Sequence, residues 1–445
     1  MANKQETLSM KHTPIPRLLG SYALTAFCAL FFDALYNLVD TLFIGYGVGD
    51  NAMGGVSVVF PFMLLQGAVA QMIGGGAASV VSRCLGKSDF EGAGNATANA
   101  MLTFYTVSAA VTVLGLFFRV PLLRFFGATE EIMPYAKPYF TVILCGNVFS
   151  TGFSSVIRAE GKMRYGLLIW LIPTAVNVLL DYLFIYIFRL GVFGAALATV
   201  LCYVTSFLMS VFFFAKRSVQ RFTNLKISCK SIAEILAVGV PTLIQLSGMS
   251  VITLLMNRAL AVHIGTYGVN AFAYMSKIIT FALVPFHAAA QAAAPIIGFN
   301  YGANNINRIK NTVRFSLLYS EIYAVAAVVV SFLSARCMMR IFTADVLLLD
   351  FGARGLRILC GSLPCIPVFL LAGTYFQAVG QKLRAAVSAG ILLVFTAVSV
   401  SVLPRWDAES GIWLSVPLSC LLAAAVNAVL LKTADKQPFV HNSCL

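Results

Sequence analysis

Long apolar runs joined by short polar segments make up almost the whole chain. Within each run the apolar residues are continuous rather than alternating, which fits helices and excludes an outer-membrane barrel. A helix needs roughly 20 residues to cross the hydrocarbon of a bilayer. Twelve runs approach or exceed that length, at 17–44, 51–82, 96–118, 134–157, 165–188, 192–215, 235–262, 270–299, 312–333, 352–378, 385–403 and 412–431. The pattern predicts an all-α integral membrane protein of twelve transmembrane helices. The first run is too long for a signal peptide and is read as a retained span. A basic joint at 216–234 separates an N-terminal six-helix lobe, 1–215, from a C-terminal one, 235–445. The joint ends in Ser231-Ile-Ala-Glu234, a capping-box pattern expected to open the seventh span.

The halves repeat. Leu122-Leu-Arg-Phe-Phe126 returns as Met338-Met-Arg-Ile-Phe342, 216 positions on, and at the same offset Gly86 meets Gly302 and Asn95 meets Asn311. At slightly larger offsets Ala159-Glu-Gly161 meets Ala378-Val-Gly380, and Gly191 meets Gly411. Each half holds an even number of spans, so both enter the membrane from the same side. That predicts two parallel lobes related by a pseudo-two-fold axis along the membrane normal, an architecture used for alternating access.

Composition sharpens this picture. Hydrophobic residues make up 59% of the 445 positions and charged ones 11%, against about 25% charged in a soluble domain. The net charge of +14 is spread over many joints, as topogenic signals and contacts with anionic membrane lipids require. No basic stripe with interleaved aromatics points to nucleic acid. Lys and Arg favour one set of joints by about two to one, which places both termini in the cytoplasm. The ten cysteines form no CxxC and the four histidines are scattered, so no metal and no cofactor are expected. No HExxH, paired histidines or nucleophile motif suggests an enzyme.

Polar residues inside the spans are the candidates for chemistry. Asp33, Asn37 and Asp40 recur at i, i+4 and i+7 in span 1, so they share a helix face, with Tyr36 beside them. A carboxylate at mid-membrane costs about 2.5–3.5 kcal/mol, so it is expected in a cavity or paired. Span 5 carries Pro173, Asn177 and Asp181 at i, i+4 and i+8, and span 6 carries Thr199, Tyr203 and Ser206. Thr199 and Ser206 alone also fit simple helix packing. The second half has one acid well inside a span, Glu321, together with Lys277 on span 8. Lys277 fits a substrate path, a partner for a first-lobe carboxylate or a structural contact to carbonyls equally well.

The run Tyr36-Asn-Leu-Val-Asp40-Thr-Leu-Phe-Ile-Gly45 resembles the first-helix signature of the multidrug and toxic compound extrusion (MATE) family. Pro295-Ile-Ile-Gly-Phe-Asn-Tyr-Gly-Ala303 and Gly191-Val-Phe-Gly-Ala-Ala-Leu-Ala-Thr199 are similar to further family stretches. The likeness covers essentially the whole chain and is greatest to the prokaryotic, MepA-like branch. It implies an antiporter of the cell (inner) membrane that exports amphiphilic cationic drugs by alternating access, with a monomer expected. In proton-linked members the first lobe uses an aspartate on helix 1, an asparagine and aspartate four apart on helix 5, and a threonine on helix 6. By resemblance these are Asp40, Asn177, Asp181 and Thr199, with Asp33, Tyr36, Asn37, Tyr203, Lys277 and Glu321 as candidates to line the substrate cavity. Sodium-coupled members also use acids on helices 7 and 10, and spans 7 and 10 here carry none, so the expected coupling ion is the proton, with sodium as the alternative. The rival within the superfamily is a flippase for lipid-linked saccharides. It would want several cavity cations for a pyrophosphate, and only Lys277 and Arg258 are candidates.

Overall fold

The computed structural model describes residues 10–434 except 49, 127, 151–152, 223–225 and 342–344; side chains at 33–42, 44–47, 50–51, 53 and 266 also lie outside the description. In the first half the helices are α1 (Ile15–Gly47), α2 (Asp50–Gly86), α3 (Phe90–Phe117), short α4 (Arg119–Phe125), α5 (Met133–Gly146), α6 (Ser154–Ala159), α7 (Met163–Asp181) and α8 (Gly191–Lys216). In the second they are α9 (Cys229–His263), α10 (Thr266–Gly302), α11 (Ile306–Arg340), α12 (Val346–Cys360), α13 (Ile366–Ala378), α14 (Lys382–Val402) and α15 (Ala408–Ala434). Among the described residues, twelve helical segments are long and apolar enough to cross a membrane, so the protein is an all-α membrane protein, as the apolar pattern predicts.

Spans 4 and 10 are not the continuous helices that their apolar runs suggest. Span 4 is α5, a 3-10 turn at Asn147–Phe149 and α6. Span 10 is α12, a 3-10 turn at Leu363–Cys365 and α13. The two turns lie 216 positions apart, the offset of the repeat. Broken backbone at membrane depth must be satisfied by protein. Ser150 Oγ donates to the Asn147 carbonyl at 2.9 Å and Ser362 Oγ to that of Leu359 at 2.7 Å. Both broken spans are the interior of their halves: 62% and 61% of their apolar windows are buried, against 22–33% for the others.

The repeat extends to backbone devices. Asp89 caps α3 by accepting from Gly92 N, and Asn305, 216 positions on, caps α11 by accepting from Arg308 N. The residues just before them, Ser88 and Asn304, take positive φ of 63° and 55°. Gly161 and Gly380 do the same at 81° and 79°.

Contacts divide the chain into two compact units. The first takes in Cys28–Gly239, and therefore the whole joint 216–234; the second takes in Thr13–Phe27 and the chain from Val240 onward. In the first unit, Phe62 packs edge-on against Phe140 at 4.9 Å within a core that includes Val59, Tyr139, Ile143 and Leu144. In lipid there is little hydrophobic drive between helices, so close backbone approach through small residues matters more. A Cβ at Gly76 would strike the Ile235 carbonyl, and one at Gly239 would strike that of Met72, so α2 and the start of α9 cross almost in backbone contact. Arg83 and Glu234 close the same crossing with an ion pair at 2.9 Å. In the second unit the fully buried Trp413 packs against Phe272 and Phe351, with centroids at 6.3 and 5.8 Å.

The joint differs from the capping-box expectation. α9 starts at Cys229, and Ser228 Oγ accepts from Ser231 N at 3.3 Å. Glu234 is thereby free of capping and reaches Arg83 instead.

Candidate functional site in the first unit

α7 places Asn177 and Asp181 one turn apart on its buried face, and both side chains are fully buried. Pro173 lies one turn earlier on the same face and removes a ladder hydrogen bond there. Asp181 is the last α-helical residue before a π-helical turn, Tyr182–Ile187. Such wide turns inside helices occur frequently at functional sites. Here the turn ends the span, and the chain reverses through Arg189 and Gly191, both at positive φ. Thr199 lies on α8, which packs against α7, and is 3% exposed; its hydroxyl donates to the Ala195 carbonyl at 3.1 Å. The Asn177 amide has no hydrogen-bond partner among the described residues. Tyr203, one turn below Thr199, is half-buried. So Asn177 and Asp181 on α7 and Thr199 on the neighbouring α8 are each buried polar residues.

The backbone of α1 carries Asp33, Tyr36, Asn37 and Asp40 in helix, but their side chains lie outside the described residues. In the second unit, Lys277 on α10 is exposed and Glu321 on α11 is half-buried.

Sequence reasoning missed a second polar line in the first unit, built around the break in span 4. Gln66 Nε2 on α2 donates to Ser150 Oγ at 2.8 Å, and Asn147 Nδ2 donates to the Ser108 carbonyl at 3.3 Å. Further along, Ser155 Oγ donates to Gln71 Oε1 at 3.4 Å, and the Arg158 guanidinium reaches Ser155 and Ser154 at 3.1 and 3.3 Å. The signal in the sequence was two glutamines, Gln66 and Gln71, inside an apolar run, and a Gly-Asn pair at 146–147.

Beyond the end of span 4 lies Glu160, fully buried between two spans. Its Oε1 accepts from Ser218 Oγ at 2.5 Å and from Gln220 Nε2 at 2.7 Å, and its Oε2 accepts from Val219 N at 3.1 Å. Gln220 Oε1 in turn accepts from Thr97 at 2.6 Å. Burial pushes the Glu160 carboxyl up to about 7, against the pull of these three hydrogen bonds and of Lys162. The sequence marked Glu160 only as part of the repeat, where Val379 occupies the matching place.

The MatE family model matches residues 26–183 and 241–403. The chain belongs to the MatE family. As a member it is a transporter rather than an enzyme. The matched stretches contain Asp33, Tyr36, Asn37, Asp40, Asn177, Asp181, Lys277 and Glu321, while Thr199 and Tyr203 fall between them. This MatE chain is 23% identical over 436 residues to the multidrug export protein MepA of Staphylococcus aureus strain N315, covering 95% of this chain and 94% of that one. It is 21% identical over 387 residues to MepA of Staphylococcus haemolyticus, covering 86% and 83%. Among solved structures, an outward-facing multidrug resistance MATE transporter of the MOP superfamily matches with TM-score 0.87 and 23% identity, covering 97% and 99%. The Vibrio cholerae MATE transporter VcmN, as a mutant, matches with TM-score 0.90 and 20% identity, covering 98% and 99%.

Proposed function

We propose that this MatE-family protein is an antiporter of the cell membrane that exports amphiphilic organic cations, with both termini in the cytoplasm. Inward movement of protons through Asp40, Asn177, Asp181 and Thr199 drives it. The observation that carries this reading is the complete burial of Asn177 and Asp181, one turn apart inside a membrane-spanning helix. Ionisable groups at such depth are rare and mark ion or substrate paths. A proton and an organic cation that compete for one carboxylate antagonise each other, and linkage makes the antagonism reciprocal. Tyr36, Asn37, Asp33, Tyr203, Lys277 and Glu321 are assigned to the substrate path. Export of drugs is supported by the MepA relatives, each a multidrug export protein. The protein works as a monomer among membrane lipids and needs no cofactor or metal.

Sodium is the competing ion, because Asn177, Asp181 and Thr199 supply oxygen ligands from neighbouring helices. Proteoliposomes separate the two. A pH gradient without sodium is imposed first, then a sodium gradient at equal pH, while efflux of a fluorescent lipophilic cation is followed. Efflux is expected under the pH gradient. Efflux under the sodium gradient alone would sink proton coupling, and none under either gradient would sink the antiporter.

A further inference from the structure

The joint between the halves is more than a tether. Among the described residues, its backbone and several of its polar side chains are engaged inward. Ser218, Val219 and Gln220 bond to Glu160. Arg221 N donates to the Phe90 carbonyl at 2.9 Å, and Gly94 leaves room for the Arg221 carbonyl that a Cβ would strike. Lys226 N donates to Asn95 Oδ1 at 3.1 Å, Asn99 Nδ2 donates to the Lys226 carbonyl at 2.9 Å, and Ser228 N donates to Asn99 Oδ1 at 3.0 Å. The backbone is thus pinned to α3 and the end of α6.

Pinning the backbone inward turns the long side chains outward. Lys216, Arg217, Arg221, Lys226 and Lys230 are all exposed, and no acid occurs from Lys216 until Glu234. None of the five forms an ion pair among the described residues. The adjoining element brings Asp89, which caps its own helix, and Glu91. Two observations place this face at a membrane boundary. The Arg217 guanidinium sits 5.5 and 5.6 Å from the rings of Tyr165 and Phe212, and Phe212 is an exposed side chain of membrane-spanning α8. Between Lys226 and Lys230, Ile227 is 77% exposed, an apolar side chain set among cations. Cations flanking an apolar anchor at the end of a span match an anionic lipid surface in both charge and polarity.

We propose that the outer face of this joint, Lys216, Arg217, Arg221, Lys226 and Lys230 with Ile227, is a docking surface for anionic phospholipid headgroups. Because the backbone is held by Glu160, Asn95 and Asn99, the surface is preformed and belongs to the first unit alone. Headgroup binding there holds this unit to the leaflet it borders.

The test uses the full chain in nanodiscs of phosphatidylcholine with added phosphatidylglycerol. Both leaflets are equal in composition, so the result does not depend on orientation or on the transported substrate. Retained lipids are counted by native mass spectrometry after extraction, at low and high salt. A variant with all five cations changed to Gln is expected to retain about tenfold less phosphatidylglycerol and to lose the salt dependence. A charge-matched control with Gln at Arg336, Arg340, Arg354, Arg357 and Arg405 is expected to retain it as the parent does. Arg217→Gln with Lys226→Gln, a milder change, should give an intermediate loss if the larger variant misfolds. Equal retention by parent and joint variants would overturn the proposal, as would equal loss in the control. Binding of inorganic phosphate at the joint in place of lipid would overturn it too.

Discussion

Raising the pH from about 5 to about 8 should loosen the joint at Glu160. The carboxyl is buried and lifted from its ordinary 4.5 to about 7. A lift of this size corresponds to about 3 kcal/mol between the two protonation states. The sign follows from the direction. A raised acid holds its proton more tightly when buried than when exposed, so the closed joint is favoured fully below pH 4.5. That advantage declines as pH rises and is gone above about 7, where a buried carboxylate bears its full desolvation cost. Opening at 218–220 should therefore become about a hundredfold more frequent across the window.

Amide hydrogen exchange in nanodiscs reads this directly. Val219 N bonds to Glu160 and Arg221 N to the Phe90 carbonyl, so both report the closed joint. After correction for intrinsic exchange rates, their protection should fall from pH 5 to pH 7 and then level off. Glu160→Gln keeps the shape and still accepts through its carbonyl oxygen, so its protection should not vary with pH. A flat profile in the parent, or the same slope in the variant, would refute the assignment of the pH response to Glu160.

Asparagine at Asp40 or Asp181 should abolish drug export while leaving membrane insertion normal, whereas Glu321→Gln should retain more activity; resistance unchanged in the first two would move the coupling site elsewhere. Gly94→Val puts a side chain against the Arg221 carbonyl and should cost about 1–3 kcal/mol, seen as a lower melting temperature. Gly67→Val, with open space around its Cβ position, is the control that should melt as the parent does. A reporter fused near Arg217 should be active in the cytoplasm and one near Thr129 outside, and reversed activities would invert the direction of transport.

The apolar pattern made the helices and their number legible because a span must be long, continuous and apolar to be stable in lipid. The breaks in spans 4 and 10 were invisible to it, since Asn147 and Leu363 lie in runs that remain apolar on average. What breaks a helix is local: Gly146 followed by Asn147 in one, and Gly361, Pro364 and Pro367 in the other. Asn177 and Asp181 were legible because their spacing put them on one face of a helix, and the structure buries both. Glu160 was not, because its partners Ser218 and Gln220 are about sixty residues away and occur in a basic segment that reads as solvated. Long-range polar pairing leaves no periodicity to detect.

The two halves share their scaffold and differ in their chemistry. The Asp89 and Asn305 caps, the positive-φ pairs Ser88/Asn304 and Gly161/Gly380, and the 3-10 breaks of spans 4 and 10 recur at or near the repeat offset, because they set the path of the backbone. The buried acids do not recur. Counting from Gly161 and Gly380, Asn177 and Asp181 correspond to Thr396 and Val400; counting from Gly191 and Gly411, Thr199 corresponds to Ser419. Thr396 and Ser419 are fully buried and Val400 nearly so. Their hydroxyls are spent within the second unit, on the Leu392 carbonyl and on Ser399 and the Ser415 carbonyl. The second unit therefore keeps the buried position and fills it with groups that do not titrate. A buried carboxylate is costly to keep, and a scaffold can be duplicated without duplicating that cost. Asp181 and Glu160 stand in the first half only, and Val400 and Val379 occupy the matching places of the second, where no titratable group has to be kept out of water.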